Sequence, residues 1–112
     1  MPLYMAQFAY TSEAWTAFTR KPENRTEVVS KLCQQFGGRL VGVYYSFGEY
    51  DGFIIVDAPN EVAITSILLA AMAPGHLRAT KTTVLLTPEQ VVEAMRKAGG
   101  AGYRGPASGG AG

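Results

Sequence analysis

"GRLVGVYYSFGEYDGFIIVD", residues 38–57, places two apolar runs on either side of a short turn signal. The runs Arg39–Phe47 and Tyr50–Asp57 have the β-branched and aromatic composition of strands. Gly48 and Glu49 lie between them, and glycine in the first position of a two-residue loop is typical of a type II′ hairpin turn. The stretch therefore predicts an antiparallel hairpin.

The register of this hairpin assigns each side chain to one of the two faces of a sheet. One face is almost wholly apolar and is predicted to meet helices; it carries Val41, Val43, Tyr45, Phe47, Tyr50, Gly52, Ile54 and Val56. The other face is mixed and carries Leu40, Gly42, Tyr44, Ser46, Asp51, Phe53, Ile55 and Asp57. Because the mixed face is too apolar to face water comfortably, we expect a second copy of the chain to cover it.

Strand and helix signals alternate outward from the hairpin. The segments before it are a strand over Pro2–Tyr10, a short helix over Ser12–Arg20, and a main helix from Arg25 that Gly37-Gly38 ends. The segments after it are a helix opened by Pro59-Asn60, a strand over His76–Leu86, and a last helix capped by Thr87-Pro88-Glu89. Two split β-α-β units in this order predict an α+β, ferredoxin-like fold, a four-stranded antiparallel sheet with helices on one face. A Rossmann unit is not favoured, since no glycine-rich phosphate loop follows a strand.

Length and composition divide the chain into a domain and a tail. Residues 1–98 are predicted to form one domain, and residues 99–112 a flexible tail, because that segment holds seven of the thirteen glycines. Within residues 1–98 nine basic and nine acidic side chains balance, so no basic patch for nucleic acid is expected. No long apolar run predicts a membrane span, no secretory signal is apparent, and the single cysteine, Cys33, excludes an internal disulfide. These features predict a cytoplasmic protein with neither nucleic acid nor membrane as a partner.

Three strings of the sequence carry a resemblance to a known family. "FGEYD" after "GGRLVGVYYS", with "LLTPEQ" after a threonine-rich strand, resembles the GYD domain family from about Leu3 to Met95. The resemblance implies a ferredoxin-like fold, similar to the dimeric α/β-barrel superfamily, and assembly into a homodimer or higher oligomer. It brings no settled activity with it.

Three residues are candidates for catalysis: Asp51, His76 and Tyr44. An acid among aromatic side chains such as Tyr44 and Phe53 has its charged form disfavoured, so Asp51 is a candidate general base. The alternative is that Asp51 binds a backbone amide at the turn or an arginine across an interface. His76 is the second candidate base, although a solvated loop histidine is the favoured interpretation, and Tyr44 is the candidate hydrogen-bond donor.

Further residues are candidates for ligand binding. Tyr10 ends the first strand and Trp15 lies on the short helix that follows, where they would line the mouth of a pocket or fill a core or interface. Arg25 shares a helix stripe with Val29 and Leu32, and would orient an anionic ligand or, as favoured, form a structural ion pair. The remaining candidates lie on the strands and are Ser46, Phe53, Thr80 and Thr82. No cofactor and no metal is expected, since one histidine cannot build a multi-histidine site within a chain.

Two functions follow from these expectations. The first is a homo-oligomer that binds a small, partly apolar molecule in a pocket on the open sheet face, with cofactor-independent acid–base chemistry left open. The second is a non-catalytic assembly or regulatory module whose open face is filled by the oligomer. A cavity beside Asp51 would favour the first function.

Overall fold

A computed structural model describes residues 1–106 of the chain. In that range it has four strands and four helices in the predicted order, and their bounds are β1 (Leu3–Tyr10), α1 (Ser12–Arg20), α2 (Thr26–Gln35), β2 (Arg39–Tyr45), β3 (Gly52–Asp57), α3 (Glu61–Met72), β4 (Leu77–Leu85) and α4 (Pro88–Gly99). The strands form one antiparallel sheet in the order β2-β3-β1-β4. The predicted α+β, ferredoxin-like fold is confirmed.

The helices begin where the capping residues predicted. The side-chain oxygens of Thr11, Asn60 and Thr87 each accept a hydrogen bond from a backbone N–H in the first turn of α1, α3 and α4. Such caps satisfy N–H groups that have no partner within the helix, and each stabilises the fold by about 1 kcal/mol. Pro88 at the start of α4 lacks an N–H that would otherwise need a partner.

The hydrophobic core lies between α2, α3 and one face of the sheet. Its largest fully buried side chains are Val56 of β3, Cys33 of α2 and Ile67 of α3, and Tyr4 and Ala6 of β1 also belong to it. Burying a large aliphatic side chain stabilises the fold by about 1.5–3 kcal/mol. The opposite face of the sheet is open, as predicted.

The turn of the hairpin differs from the prediction. The strands pair in the predicted register, Tyr45 opposite Gly52, but they end there, and a loop over residues 46–51 connects them. The type II′ turn is wrong, because Gly48 does not have the positive φ that the turn requires, whereas Phe47 has a φ of 51°. The reason is that the Asp51 carbonyl accepts both the Ser46 and the Phe47 N–H, at 2.9 and 3.2 Å, and so closes a wider loop.

A β-bulge corrects the predicted faces at the start of β2. The register shifts between Leu40 and Gly42, so that Leu40 pairs with Val56 and packs against the core. Val41 is the extra residue and is exposed. A single inserted residue exchanges the two sides of a strand, which is why Leu40 and Val41 exchange their predicted positions.

The predicted boundary between residues 98 and 99 falls at the last turn of α4. Residues 100–106 follow without regular secondary structure, and residues 107–112 of the predicted tail lie outside the described residues. The division into domain and tail stays a prediction.

Candidate functional site

A cavity of about 620 Å³ lies between the helix-covered face of the sheet and helices α1, α2 and α3. We call it the helix-side cavity. Phe8, Val43 and Ile54 contribute to its wall from the sheet, Leu32 from α2 and Leu68 from α3. Its position differs from the predicted one, since the sequence placed a pocket on the open face.

Small side chains account for the space in the cavity. Alanines from several elements line it: Ala6 of β1, Ala14 and Ala17 of α1, and Ala70 and Ala71 of α3. Larger apolar residues at these positions would fill the gap between the helices and the sheet, since protein interiors otherwise pack densely. The cavity has the size and the apolar lining that are typical of small-molecule sites.

Arg25 brings a positive charge to this apolar wall. It is the N-cap residue of α2, and its side chain makes no capping bond but turns into the cavity. Nη1 donates to Glu23 Oε1 at 2.8 Å, and Cζ lies 5.9 Å from the centre of the Phe18 ring. The hydrogen bond to Glu23 raises the pKa of Arg25, against the opposing effect of burial, so the side chain stays cationic.

One donor of Arg25 has no hydrogen-bond partner in the described part of the chain. Its Nε is buried and has no hydrogen-bond partner among residues 1–106. A buried donor without a partner costs about 1–3 kcal/mol, so such groups in native proteins usually bind something. The Arg25 ion pair with Glu23 thus leaves the buried Nε–H unsatisfied by the described residues.

Two tyrosines, Tyr10 and Tyr45, are among the polar residues that line the cavity. Burial raises the pKa of Tyr10 to about 12, and the neighbouring Tyr45 adds to the shift, while Arg25 opposes it. Tyr10 is therefore a neutral phenol near pH 7, which can donate a hydrogen bond. Tyr45 was not a candidate from sequence, although its predicted place on the helix-facing side of β2 was the signal that could have found it.

Six rings form a continuous group beside the cavity, which we call the aromatic cluster. Neighbouring ring centres in it are 5.1–6.2 Å apart, and its members are Phe8, Tyr10, Trp15, Phe18, Tyr45 and Phe47. Several pairs meet edge to face, which is a favoured geometry of aromatic pairs. A smaller cavity of about 270 Å³ lies where Trp15 and Phe47 meet Pro22. Trp15 thus belongs to the border of the site rather than to the helix-side cavity itself.

Asp51 binds the aromatic cluster and does not lie with Tyr44 and Phe53. Its Oδ2 accepts hydrogen bonds from the Tyr10 backbone N–H at 2.8 Å and from Trp15 Nε1–H at 3.0 Å. The Asp51 backbone N–H also donates to the Phe8 carbonyl at 2.8 Å. The predicted open-face neighbourhood is wrong because the irregular loop turns the carboxylate toward these two donors. The alternative of a backbone amide at the turn is correct only in part, because the amide that Asp51 binds belongs to Tyr10 at the end of β1.

The structure brings together four of the predicted site residues and separates the others. Tyr10, Arg25 and Thr80 line the helix-side cavity, and so does His76, which is exposed. Asp51 and Trp15 are joined to each other outside it. The other residues elsewhere are Tyr44 and Phe53, whose ring centres are 5.5 Å apart on the open face, Ser46, whose hydroxyl donates to the Tyr50 carbonyl at 3.3 Å, and exposed Thr82. The three candidates for catalysis are thus distributed over different surroundings.

Cys33 is a buried thiol in the core, and burial raises its pKa, which makes the reactive thiolate scarce. Among residues 1–106, no three side chains of His, Cys, Asp or Glu are grouped in a way that could hold a metal ion. No helix within this range has the length and apolar character to cross a membrane.

The sheet order and the helix layer place the chain among the small α+β domains of the ferredoxin-like class. The chain belongs to the GYD domain family, whose model matches residues 4–95. It is also similar to the glutamine synthetase and cystathionine beta-lyase binding protein of Thermus thermophilus, with 26% identity over 78 residues, which are 70% of this chain and 82% of that protein. The crystal structure of MtbAldR aligns with a TM-score of 0.54 and 18% identity over 77% of this chain. The alignment covers 52% of MtbAldR, about half its length, and this likeness concerns the fold.

Proposed function

We propose that the chain binds a small, largely apolar carboxylate in the helix-side cavity. The observation that carries the proposal is the buried Nε of Arg25, a charged donor without a partner in an apolar cavity. A carboxylate oxygen at that nitrogen would satisfy it with a charge-assisted hydrogen bond, which is about twice as strong as a neutral one. The apolar part of the ligand would occupy the space that the alanines leave.

The polar groups around Arg25 favour a ligand that accepts hydrogen bonds. The Tyr10 phenol is neutral and can donate, and Glu23, which is the acid in the cavity wall, is already paired with Arg25. Glu23 is partly exposed, so it can turn to solvent when a ligand carboxylate takes its place. An apolar alcohol could use the same space but would lack the charge.

A homo-oligomer is part of the proposal. Tyr44 on the open face is exposed, and its ring packs against Phe53 of the neighbouring strand. Apolar surface of this kind usually marks an interface. Catalysis by Asp51, His76 and Tyr44 stays a prediction that binding does not require.

A second function is favoured by one relative. The Thermus thermophilus protein is named for binding two enzymes, and the open face of this chain offers a surface on which another protein could dock. Under this alternative the chain is a non-catalytic regulatory module, and a ligand in the cavity would tune its association. Ligand binding is compatible with docking, since the two use opposite faces of the sheet, whereas a docked protein and the homo-oligomer would compete for the open face.

The test of carboxylate binding compares decanoate with decanol by titration calorimetry, with Trp15 fluorescence as a second signal. Decanoate is expected to bind at least tenfold more tightly than decanol, because both fill the cavity but decanoate alone brings the charge. Arg25→Gln should abolish this difference. Arg20→Gln, which removes an exposed arginine that does not line the cavity, should preserve it.

Three results would contradict the proposal: neither compound binds, decanol binds as tightly as decanoate, or the preference survives Arg25→Gln. Loss of the preference in Arg20→Gln as well would assign it to general charge rather than to the site.

A further inference from the structure

Helix α4 has an apolar side that nothing in the described chain covers. Every residue from Pro88 to Gly99 is exposed, and α4 makes no extensive contact with another element of residues 1–106. Val91, Val92 and Met95 lie on one side of it, and Glu89, Glu93 and Lys97 on the other. An amphipathic helix usually owes its stability to burial of the apolar side, so α4 needs a surface to pack on.

The chain also has a surface of matching character, which we call the β4 gap. Tyr4 and Val84 pair across β1 and β4 and share the helix-covered face, yet Tyr4 is 2% exposed and Val84 59% exposed. Ala6 and Thr82 differ in the same way. The helix layer therefore covers β1 but stops before β4, and it leaves space for one more helix.

Helix α3 forms the side of the β4 gap. Its Met72 reaches β4, where the sulfur lies 3.7 Å from the Thr80 hydroxyl oxygen. Met72 is itself 40% exposed. Val84 and Met72 thus present exposed apolar side chains beside an unfilled position of the helix layer.

The link between β4 and α4 keeps the helix away from its own gap. It consists of Leu86 and Thr87, and Thr87 is extended, with φ −74° and ψ 159°. Pro88 keeps Thr87 in this extended conformation, because the helical region of φ and ψ is disfavoured for a residue before proline. A short extended link of this kind projects α4 toward a neighbour and is typical of exchanged elements.

We infer that α4 docks in the β4 gap of a second copy of the chain, in a reciprocal exchange. The undescribed residues 107–112, Ala-Ser-Gly-Gly-Ala-Gly, have no large apolar side chain with which to cover α4 instead. A helix of twelve residues is about 18 Å long. Two such helices docked reciprocally would bury both apolar sides and both β4 gaps, and a stable interface buries about 1,200–2,000 Å² in all. This inference does not rest on the proposed ligand.

Cross-linking tests the exchange on the full chain. The double variant Val84→Cys/Met95→Cys is treated with a short bis-maleimide. The native Cys33 is buried and should not react with this reagent. The expected product is a covalent dimer of twice the 12.0 kDa chain. Val84→Cys with Glu93→Cys is the control, since Glu93 lies about 160° around the helix from Met95 and should react far less. A link within one chain, equal reaction of the control, or no product from the folded double variant would overturn the inference.

A second experiment covers the case in which the double variant does not fold. Met95→Glu places a charge on a side chain that is 63% exposed in the single chain, so it should fold but lose the association through α4, which sedimentation would show as a smaller oligomer. Val84→Lys should lose this association as well, and combining the two should restore it through an ion pair. An unchanged association state in Met95→Glu, or no rescue in the combined variant, would overturn the exchange.

Discussion

The carboxylate of Asp51 and the indole of Trp15 are joined by a hydrogen bond of 3.0 Å between residues 36 positions apart. The same carboxylate oxygen accepts the backbone N–H of Tyr10. Through these two bonds one side chain fixes the loop over residues 46–51 to the end of β1 and to α1. Since Tyr10 lines the helix-side cavity, the loop also holds one wall of the candidate site in place.

Asp51→Asn is expected to lower the free energy of unfolding by about 1–2 kcal/mol, because an amide oxygen replaces a charged acceptor for two donors. Trp15 is the single tryptophan, so its fluorescence should change in the folded variant. Urea unfolding followed by tryptophan emission measures both effects. Glu49→Gln is the matched control in the same loop, since Glu49 is exposed, and it should change stability by less than about 0.5 kcal/mol. Unchanged or increased stability of Asp51→Asn would instead favour the catalytic interpretation of Asp51.

Gly52→Ala should destabilise the fold by about 1–3 kcal/mol through overpacking. A Cβ at position 52 would lie 2.5 Å from the Tyr44 carbonyl oxygen and 2.8 Å from the edge of the Phe8 ring, and the backbone oxygen cannot move cheaply. Gly48→Ala is the control, because a Cβ there meets nothing within 4 Å and the φ of Gly48 is not positive. Thermal unfolding separates the two variants. A strongly destabilised Gly48→Ala would speak for the type II′ turn that the sequence predicted.

Local signals were sufficient to predict most of the fold. Thr11, Asn60 and Thr87 cap the helices that they were expected to open, since a cap depends on residues three positions away. The hairpin register was also predictable from alternation. The loop over residues 46–51 was not, because the donor that binds Asp51 belongs to Trp15, far away in sequence.

The candidate site was predictable only in part. Arg25 was found because its helical spacing to Val29 and Leu32 puts all three on one side of α2, and all three line the cavity. The cavity itself depends on how closely α1 and α3 approach the sheet. Ala14 and Ala71 are ordinary helix residues in the sequence, and packing alone makes them part of a cavity wall.

Ala71→Leu is expected to fill part of the helix-side cavity. The added carbon atoms would be buried in a space already open, so stability should rise by about 1–2 kcal/mol, at roughly 0.8 kcal/mol per buried methylene. Decanoate binding should weaken at least tenfold, since the ligand and the new side chain need the same volume. Calorimetric titration and urea unfolding test both parts. Ala73→Leu, at an exposed alanine that does not line the cavity, should leave binding unchanged. If Ala71→Leu binds decanoate with unchanged affinity, the ligand binds outside the helix-side cavity.

The Tyr10 phenol should make stability fall at high pH. Burial raises its pKa in the folded chain from 10.0 to about 12, so the folded state keeps the proton that the unfolded state releases. The contribution of the Tyr10 phenol to the free energy of unfolding is complete below pH 10. It is lost as the pH rises toward 12, because unfolding then releases a proton. Cys33, whose pKa burial also raises, contributes in the same direction, so the comparison must be made between variants. The measured quantity is the free energy of unfolding of the wild-type chain minus that of Tyr10→Phe, and it should decrease between pH 10 and 12. The control is the same difference for Tyr103→Phe, which removes an exposed phenol. Equal pH dependence of the wild type and Tyr10→Phe would show that the Tyr10 phenol is not protected by burial beside Tyr45.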